Sequence, residues 1–192
     1  MAGFCIGMGA MAYLRAGAVV GPFLFAIGLL AVCYFQLPLY TGRVQFFSWR
    51  TALDYLWMLV GNIIGVLIVV MLAEGMSFQV DPAGIVDARL SAPWWLVGLR
   101  AIPCGFIMTL AVRAAKEKHY LPLLFGIPTF IICGFPHCVA DIFYYGAVRP
   151  ALADIALVYL ATVVGNALGC NAYRLFIPSP KKSPVPEESI AR

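Results

Sequence analysis

His137 combines a side-chain type and a position that favour chemistry inside a membrane. The residue follows Pro136, a helix breaker, within a long apolar segment. Its imidazole titrates close to neutral pH, so it can share or transfer a proton. Asp141 comes four residues later, and on a helix the two side chains would share a face as a proton-relay pair. A purely structural buried histidine is the alternative, whereas His119 lies in a basic loop and is predicted to be solvated.

Two stretches that contain helix-breaking residues could hold the His137 imidazole at membrane depth. One is residues 36–42, Q-L-P-L-Y-T-G, and the other is residues 133–138, C-G-F-P-H-C. Proline removes a backbone donor and glycine loosens a helix, so each stretch is predicted to interrupt a helix and free backbone groups at membrane depth. Freed N–H groups and the N-terminus of a half-helix attract anions. A simple proline kink is the alternative at each place, and the matched positions of the two stretches favour a true break.

The composition requires lipid as the main solvent. Of the 192 residues, 62% are hydrophobic and 11% are charged, which leaves too little polar surface for a water-soluble globule. We predict an all-α integral membrane protein with six spans, at residues 1–14, 16–37, 53–73, 94–114, 121–147 and 151–176. The first run is shorter than the about 20 residues that cross a bilayer. It is therefore either a half-span packed against its neighbours or a span that begins upstream.

The distribution of lysine and arginine predicts the orientation. Most of these residues fall on one side of the predicted spans, which places that side in the cytoplasm. With an even number of spans the C-terminus is also cytoplasmic, and we expect a multi-pass protein of the cell (inner) membrane. Residues 1–177 form the predicted transmembrane domain, and residues 178–192 are predicted to be a disordered cytoplasmic tail.

A short motif occurs once in each half of the chain. V-G-N-x-x-G occupies residues 60–65 in the third predicted span and residues 164–169 in the sixth. Two halves of three spans each enter the membrane in opposite orientations, which predicts an inverted repeat of three plus three in an aquaporin-like architecture. In such proteins the substrate path lies at the repeat interface near the midplane. The interrupted second and fifth helices would meet there.

Four polar residues within or beside the spans have two interpretations each. Asn62 and Asn166, each preceded by glycine, either hydrogen-bond between packed helices or face the path. Arg89 and Arg100 flank a tryptophan pair, where a long basic side chain either reaches to the interface or attracts anions.

Other kinds of chemistry lack their sequence signatures. The sequence contains no GxSxG, HExxH or GxxxxGK[ST] motif and no carboxylate pair within a span, so we expect neither an enzyme nor a bound cofactor. Its six cysteines form no CxxC pair and are predicted to be small free thiols, with no metal site. Basic residues are not interleaved with aromatic ones, so nucleic acid is not an expected partner.

Several segments together resemble the formate/nitrite transporter family. Residues 134–143, G-F-P-H-C-V-A-D-I-F, resemble its fifth-span pattern G-F-E-H-S-V-A-N-M-F. Residues 39–42, L-Y-T-G, resemble the L-F-T-G of its interrupted second span. Residues 89–95 and 99–104 resemble K-L-S-x-P-F-W and L-R-G-I-L-C-N, which lead into its fourth span, and both V-G-N-x-x-G motifs match its G-N-x-x-G segments. The resemblance extends over residues 2–176.

The resemblance implies a homopentamer of six-span protomers, each with its own pore. It places His137 and Thr41 in the middle of the pore with Asn166 nearby, while Asn62 is the equivalent asparagine of the first half. It places Arg89, the counterpart of a family lysine, at the mouth. The sequence departs from the family pattern at several positions, where glutamate is replaced by Pro136, asparagine by Arg43, serine by Cys138 and a second asparagine by Gly105.

The resemblance also implies two apolar constrictions, one formed by Phe25, Leu29 and Tyr40 and the other containing Phe130. Such constrictions pass a neutral weak acid more readily than its anion. We therefore expect a channel or proton-coupled transporter of small monovalent anions such as formate, nitrite, hydrosulfide or short carboxylates, with protons and the lipid bilayer as further partners. The alternative is a degenerate, non-conducting member of the family that acts as a structural or regulatory membrane protein.

Overall fold

The computed structural model describes residues 1–46 and 48–176, and this part of the chain is built of helices. The α-helices are α1 (Ala2–Tyr34), α2 (Tyr40–Arg43), α3 (Ala52–Gly75), α4 (Ala83–Leu90), α5 (Trp94–Lys116), α6 (Leu121–Ile132), α7 (Asp141–Val148) and α8 (Leu152–Phe176). Short 3₁₀ turns occupy Val44–Phe46 and Trp49–Thr51. The predicted tail, residues 178–192, and the end of the predicted transmembrane domain at residue 177 lie outside the described residues.

Helix α1 reverses direction at Gly17. This residue has φ 79° and ψ −177°, a conformation that glycine adopts without steric cost. On either side of it the chain packs against itself, and a Cβ at Gly9 would lie 2.7 Å from the carbonyl oxygen of Phe25. The first half of α1 (residues 2–16) and its second half (residues 18–34) therefore run antiparallel. The predicted boundary between the first two spans lies beside this reversal.

The helices of the described chain have lengths and surfaces that suit a bilayer. Helices α1, α3, α5 and α8 are long and apolar enough to cross a membrane. Large hydrophobic side chains cover the exterior, where Val19 is 81% exposed and Trp57 70% exposed. Helices α6 and α7, with 12 and 8 residues, are each too short to cross alone. Together they flank the stretch that contains His137.

Each V-G-N-x-x-G motif packs its last glycine against a neighbouring backbone. A Cβ at Gly65 in α3 would lie 2.7 Å from the amide nitrogen of Phe4, and a Cβ at Gly169 in α8 would lie 2.9 Å from the amide nitrogen of Phe106. The same contact thus joins α3 to the first half of α1 and α8 to α5. Small residues at such positions allow helix backbones to approach closely.

The substitution Gly65→Ala tests this packing. The new methyl group would overlap the backbone of Phe4, so we expect a loss of about 1–3 kcal/mol in the free energy of unfolding. Gly61→Ala in the same motif is the matched control, because a Cβ there meets no atom within 4 Å. We expect the control to be neutral or to stabilise α3 by up to about 1 kcal/mol. Thermal unfolding of the purified protein in detergent measures both, and equal midpoints for the two variants would contradict the packing.

Candidate functional site

Two helix interruptions lie close to each other in the fold. The first, residues 35–39, separates the second half of α1 from the short helix α2. The second, residues 133–140, separates α6 from α7 and contains Gly134 in a left-handed conformation, φ 67°. Both overlap the stretches in which the sequence predicts breaks, although residues 40–42 of the first predicted stretch belong to α2. Each leaves backbone N–H and C=O groups that need partners outside the helix.

Asn62 provides these partners at the first interruption. Its side-chain oxygen accepts a hydrogen bond of 2.9 Å from the amide of Tyr40. Its side-chain amide donates a hydrogen bond of 3.0 Å to the carbonyl oxygen of Pro38. The asparagine thus bonds to the backbone on both sides of Leu39.

Asn166 repeats this arrangement at the second interruption. Its side-chain oxygen accepts a hydrogen bond of 2.8 Å from the amide of Cys138. Its amide group donates to the carbonyl oxygens of Pro136 at 3.0 Å and Ala101 at 2.9 Å. In both halves of the chain, an asparagine of the V-G-N-x-x-G motif therefore bonds to a proline carbonyl and to the amide two residues later. The side-chain oxygen and nitrogen atoms of both asparagines thus hydrogen-bond to backbone groups, and both side chains are buried.

Helix α2, which follows the first interruption, meets the second interruption through Thr41 and His137. The Thr41 hydroxyl oxygen lies 3.1 Å from His137 Nε2, and the two residues are 0% and 1% exposed. The backbone amide of Ala140 donates to His137 Nδ1 at 3.1 Å. Because an amide N–H can only donate, Nδ1 is an acceptor and the neutral ring carries its proton on Nε2. That proton points towards the Thr41 hydroxyl.

Aromatic and aliphatic side chains enclose the histidine. The ring of Phe130 stacks on the imidazole with centroids 5.6 Å apart, and Phe25 meets Phe130 edge to face at 5.8 Å. Leu29 is fully buried and Tyr40 nearly so. The residues expected to form the two apolar constrictions are thus buried, and Phe25 and Phe130 contact each other in one aromatic group beside His137.

A cavity of about 200 Å³ reaches the histidine from the side of α4. Its lining includes Tyr13, Arg89, Phe130, His137, Asp141 and Tyr144. The polar side chains of Arg89 and Asp141 thus line the same cavity as the stacked rings of Phe130 and His137. This places Arg89 and His137, both predicted from the sequence to belong to the path, on the wall of one cavity.

The charge of Arg89 is balanced inside this cavity. Its Nε donates to the Asp141 carboxylate at 3.2 Å, and its Nη1 donates to the carbonyl oxygen of Gly134 at 2.9 Å. The side chains of Arg89 and Asp141 are 11% and 2% exposed. Burial lowers the pKa of Arg89, whereas the adjacent Asp141 carboxylate raises it. The two effects together leave the pKa of Arg89 above its usual value. Asp141, expected to pair with His137, thus binds the arginine instead.

A second cavity of about 520 Å³ lies on the other side of the Thr41–His137 pair. Leu39, Gly42 and Arg43, which flank Thr41 in the sequence, line it together with Lys116 and Lys118. Because Arg89 precedes α5 and Lys116 ends it, the two cavities open at opposite ends of that helix. The hydrogen-bonded pair therefore lies between two cavities.

Cys170 is a site residue that the sequence did not indicate. Its sulfur lies 3.2 Å from the carbonyl oxygens of both Thr41 and Gly105, and its single S–H donates to one of them or is shared between the two. This contact joins α8 to α2 and α5. The sequence signal was weak, because a cysteine in an apolar span reads as a small apolar residue. Its position directly after the second V-G-N-x-x-G motif was the available clue. All six cysteines are free, and the described residues contain no cluster of three or more His, Cys, Asp or Glu suited to a metal ion.

This fold and this site define an all-helical membrane protein in which two interrupted helices meet at a buried histidine. The family model described as formate/nitrite transporter matches residues 1–176. The chain therefore belongs to the formate/nitrite transporter family, whose members are membrane channels and transporters for formate-type anions. The family assignment made from the sequence is confirmed, as is the prediction of a helical membrane protein.

Two solved structures are similar to the chain in fold. One, described as an FNT family ion channel, is 22% identical with a TM-score of 0.76, and the match covers 90% of this chain and 84% of that one. The other, described as a pentameric formate channel with formate bound, is 16% identical with a TM-score of 0.75, and the match covers 90% of each chain. No curated protein matches the sequence. At these identities the similarity establishes the fold alone.

The buried ion pair can be tested by a double-mutant cycle. Arg89→Ala or Asp141→Ala alone leaves an unpaired buried charge, and we expect each to cost about 3–5 kcal/mol of stability. The double variant is expected to lose less than the sum of the two, because neither charge remains.

The exposed pair Arg149–Glu74, whose side chains are 69% and 45% exposed, is the control. Arg149→Ala is expected to cost less than about 1 kcal/mol. Thermal unfolding in detergent is the measurement. Additive losses at Arg89 and Asp141 would show that the two side chains do not interact.

Proposed function

We propose that the chain is a channel or proton-coupled transporter of small monovalent anions such as formate, nitrite, hydrosulfide or short carboxylates. The observation that carries the proposal is the hydrogen-bonded Thr41–His137 pair, buried between two cavities that open at opposite ends of α5. Membership of the formate/nitrite transporter family supports it. The similar structure described as a formate channel with formate bound supports the choice of substrate class.

The proposed architecture is an inverted repeat of six spans. The first three spans are the first half of α1, its second half with α2, and α3. The next three are α5, the pair α6 and α7, and α8. Support comes from the equivalent contacts of the two halves, in which Asn62 and Asn166 bond to the two interruptions and Gly65 and Gly169 pack on neighbouring backbones.

We place this protein in the cell membrane with a cytoplasmic C-terminus. The excess of lysine and arginine on the corresponding side supports this orientation. The assembly we propose is a homopentamer, in line with the pentameric channel of similar fold. Each protomer contains its own Thr41–His137 pair, so each has its own path.

His137 acts in this proposal as a hydrogen-bond donor to the anion. An anion that replaces the Thr41 hydroxyl as acceptor receives the Nε2–H of the neutral ring. Protonating Nδ1 would direct a second N–H at the amide of Ala140, which already donates there. The neutral ring therefore fits the site best. The accompanying proton then travels on the substrate as a weak acid, rather than from the imidazole.

The apolar residues around the histidine select against charge. Transfer of a bare anion past Phe25 and Phe130 costs far more than transfer of the neutral acid. Arg89 lines the cavity on one side and contributes to the attraction of anions that are close to it. For anions farther away, the adjacent Asp141 carboxylate offsets most of the arginine's charge. Larger or strongly hydrated ions are excluded because the constriction leaves no room for their water.

Formate flux into proteoliposomes, followed with an internal pH dye, tests this function. His137→Leu removes the donor, and we expect flux to fall by roughly one to two orders of magnitude, since an unsatisfied buried partner costs about 1–3 kcal/mol. His137→Gln keeps an amide donor that does not titrate, and it is expected to retain more flux than His137→Leu.

His119→Gln is the matched control, because His119 is exposed and lies outside both cavities. We expect this variant to transport as the wild type does. Equal flux from wild type and His137→Leu would overturn the role of the histidine. A wild-type protein that carries no formate, nitrite or hydrosulfide would instead support the non-conducting alternative.

A further inference from the structure

The cavity opposite Arg89 is lined by three basic side chains that form no ion pair with any residue the structure describes. Arg43, Lys116 and Lys118 line it, and no aspartate or glutamate is among its described lining residues. All three residues are exposed, and the ion pairs found in the described chain join other side chains. Arg43 and Lys116 are close enough for their charges to repel each other. We call this cavity, with its three cations, the basic vestibule.

Stabilisation of a helix end does not account for these cations. Basic residues commonly bond to the last carbonyl groups of a helix. At the end of α5, however, the backbone amide of His119 donates to the carbonyl oxygen of Ala114 at 2.8 Å, and the amide of Lys118 donates to Ala115 at 3.0 Å. These carbonyls are already paired, so the lysine side chains are available for a ligand.

The two mouths of the path differ in net charge. On the other side, Asp141 balances Arg89 at 3.2 Å. In the basic vestibule no such ion-pair partner exists among the described residues. Unbalanced charge in a concave, partly apolar site raises the local concentration of anions and strengthens their binding.

We propose that the basic vestibule binds a small doubly charged oxyanion. Three cations exceed what one monovalent anion neutralises, and a volume of about 520 Å³ admits a ligand larger than formate. Gln36, Tyr34 and Tyr120 line the same cavity and offer further hydrogen-bond donors. Inorganic sulfate or phosphate and short dicarboxylates share the required chemistry.

The bound dianion blocks the path from the vestibule side, and this consequence rests on the proposed transport function. Leu39 and Gly42 line the vestibule beside the buried Thr41, so a ligand held there lies at the entrance to the Thr41–His137 pair. A dianion does not pass the aromatic group, because two charges cost more to dehydrate than one. It therefore competes with monovalent anions that enter from this side and leaves the opposite mouth open.

Equilibrium dialysis of radiolabelled sulfate against the purified full chain in detergent measures the site directly. We expect the triple variant Arg43→Gln, Lys116→Gln, Lys118→Gln to bind sulfate roughly tenfold or more weakly than wild type. Arg174→Gln is the matched control, because it removes one exposed charge near the same end of the bundle but outside the vestibule. Arg174→Gln is expected to bind within about twofold of wild type.

Competition of unlabelled anions with radiolabelled sulfate distinguishes an inorganic oxyanion from a dicarboxylate as the preferred ligand. Displacement of the label by phosphate more than by malonate indicates an inorganic ligand, and the reverse indicates a dicarboxylate. Sulfate binding that is absent from wild type, or equal in wild type and the triple variant, overturns the proposal. An equal loss in Arg174→Gln overturns it as well, because the binding would then be a general effect of surface charge.

A flux assay tests the block and keeps the two proposals distinguishable. In proteoliposomes of determined orientation, sulfate on the vestibule side is expected to inhibit formate flux, while sulfate on the Arg89 side is not. Inhibition of equal strength from both sides overturns the sided block. If wild type binds sulfate in dialysis but carries no monovalent anion, the transport function fails and the binding site stands.

Discussion

The structure depends on satisfying backbone hydrogen bonds at two places where a helix is broken within an apolar protein. Lipid offers no partner for a freed amide or carbonyl, so the protein must supply one. Asn62 and Asn166 do so in the same way, each bonding to a proline carbonyl and to the amide two residues later. The residue between those two bonds is Leu39 in one half and His137 in the other. The position of the imidazole relative to Thr41 is therefore set by backbone contacts rather than by the histidine itself.

The second interruption has an additional attachment that the first lacks. Arg89 bonds to Gly134, near the start of the interruption, and to Asp141, the first residue of α7. One side chain from α4 thus joins both ends of the segment that contains the histidine. Helix α2, which follows the first interruption, is instead attached to α8 through the contact between the Cys170 thiol and the Thr41 carbonyl oxygen. The two interruptions are therefore held by different side chains, and the cavities beside them differ in charge.

The sequence predicted the interruptions well and their chemistry only in part. Proline and glycine act through the local backbone, so the breaks at residues 36–42 and 133–138 were visible without a fold. The roles of Asn62 and Asn166 were not, because a packing asparagine and a pore asparagine look alike until their partners are known. Spacing suggested that Asp141 would pair with His137, four residues away. The carboxylate instead binds Arg89, 52 residues distant in sequence, and no local pattern reveals such a contact.

The hydrogen bonds at both nitrogens of His137 also limit how the site can work. Turning the ring by half a revolution about its Cβ–Cγ bond would present carbon atoms to both Ala140 and Thr41. The ring of Phe130 stacks on the imidazole with an interplanar angle of 27°. A rotamer change at the imidazole would therefore break both of these hydrogen bonds. In the proposed transport function, a substrate would therefore meet an imidazole that is already held in place, and no swinging of this side chain would be required.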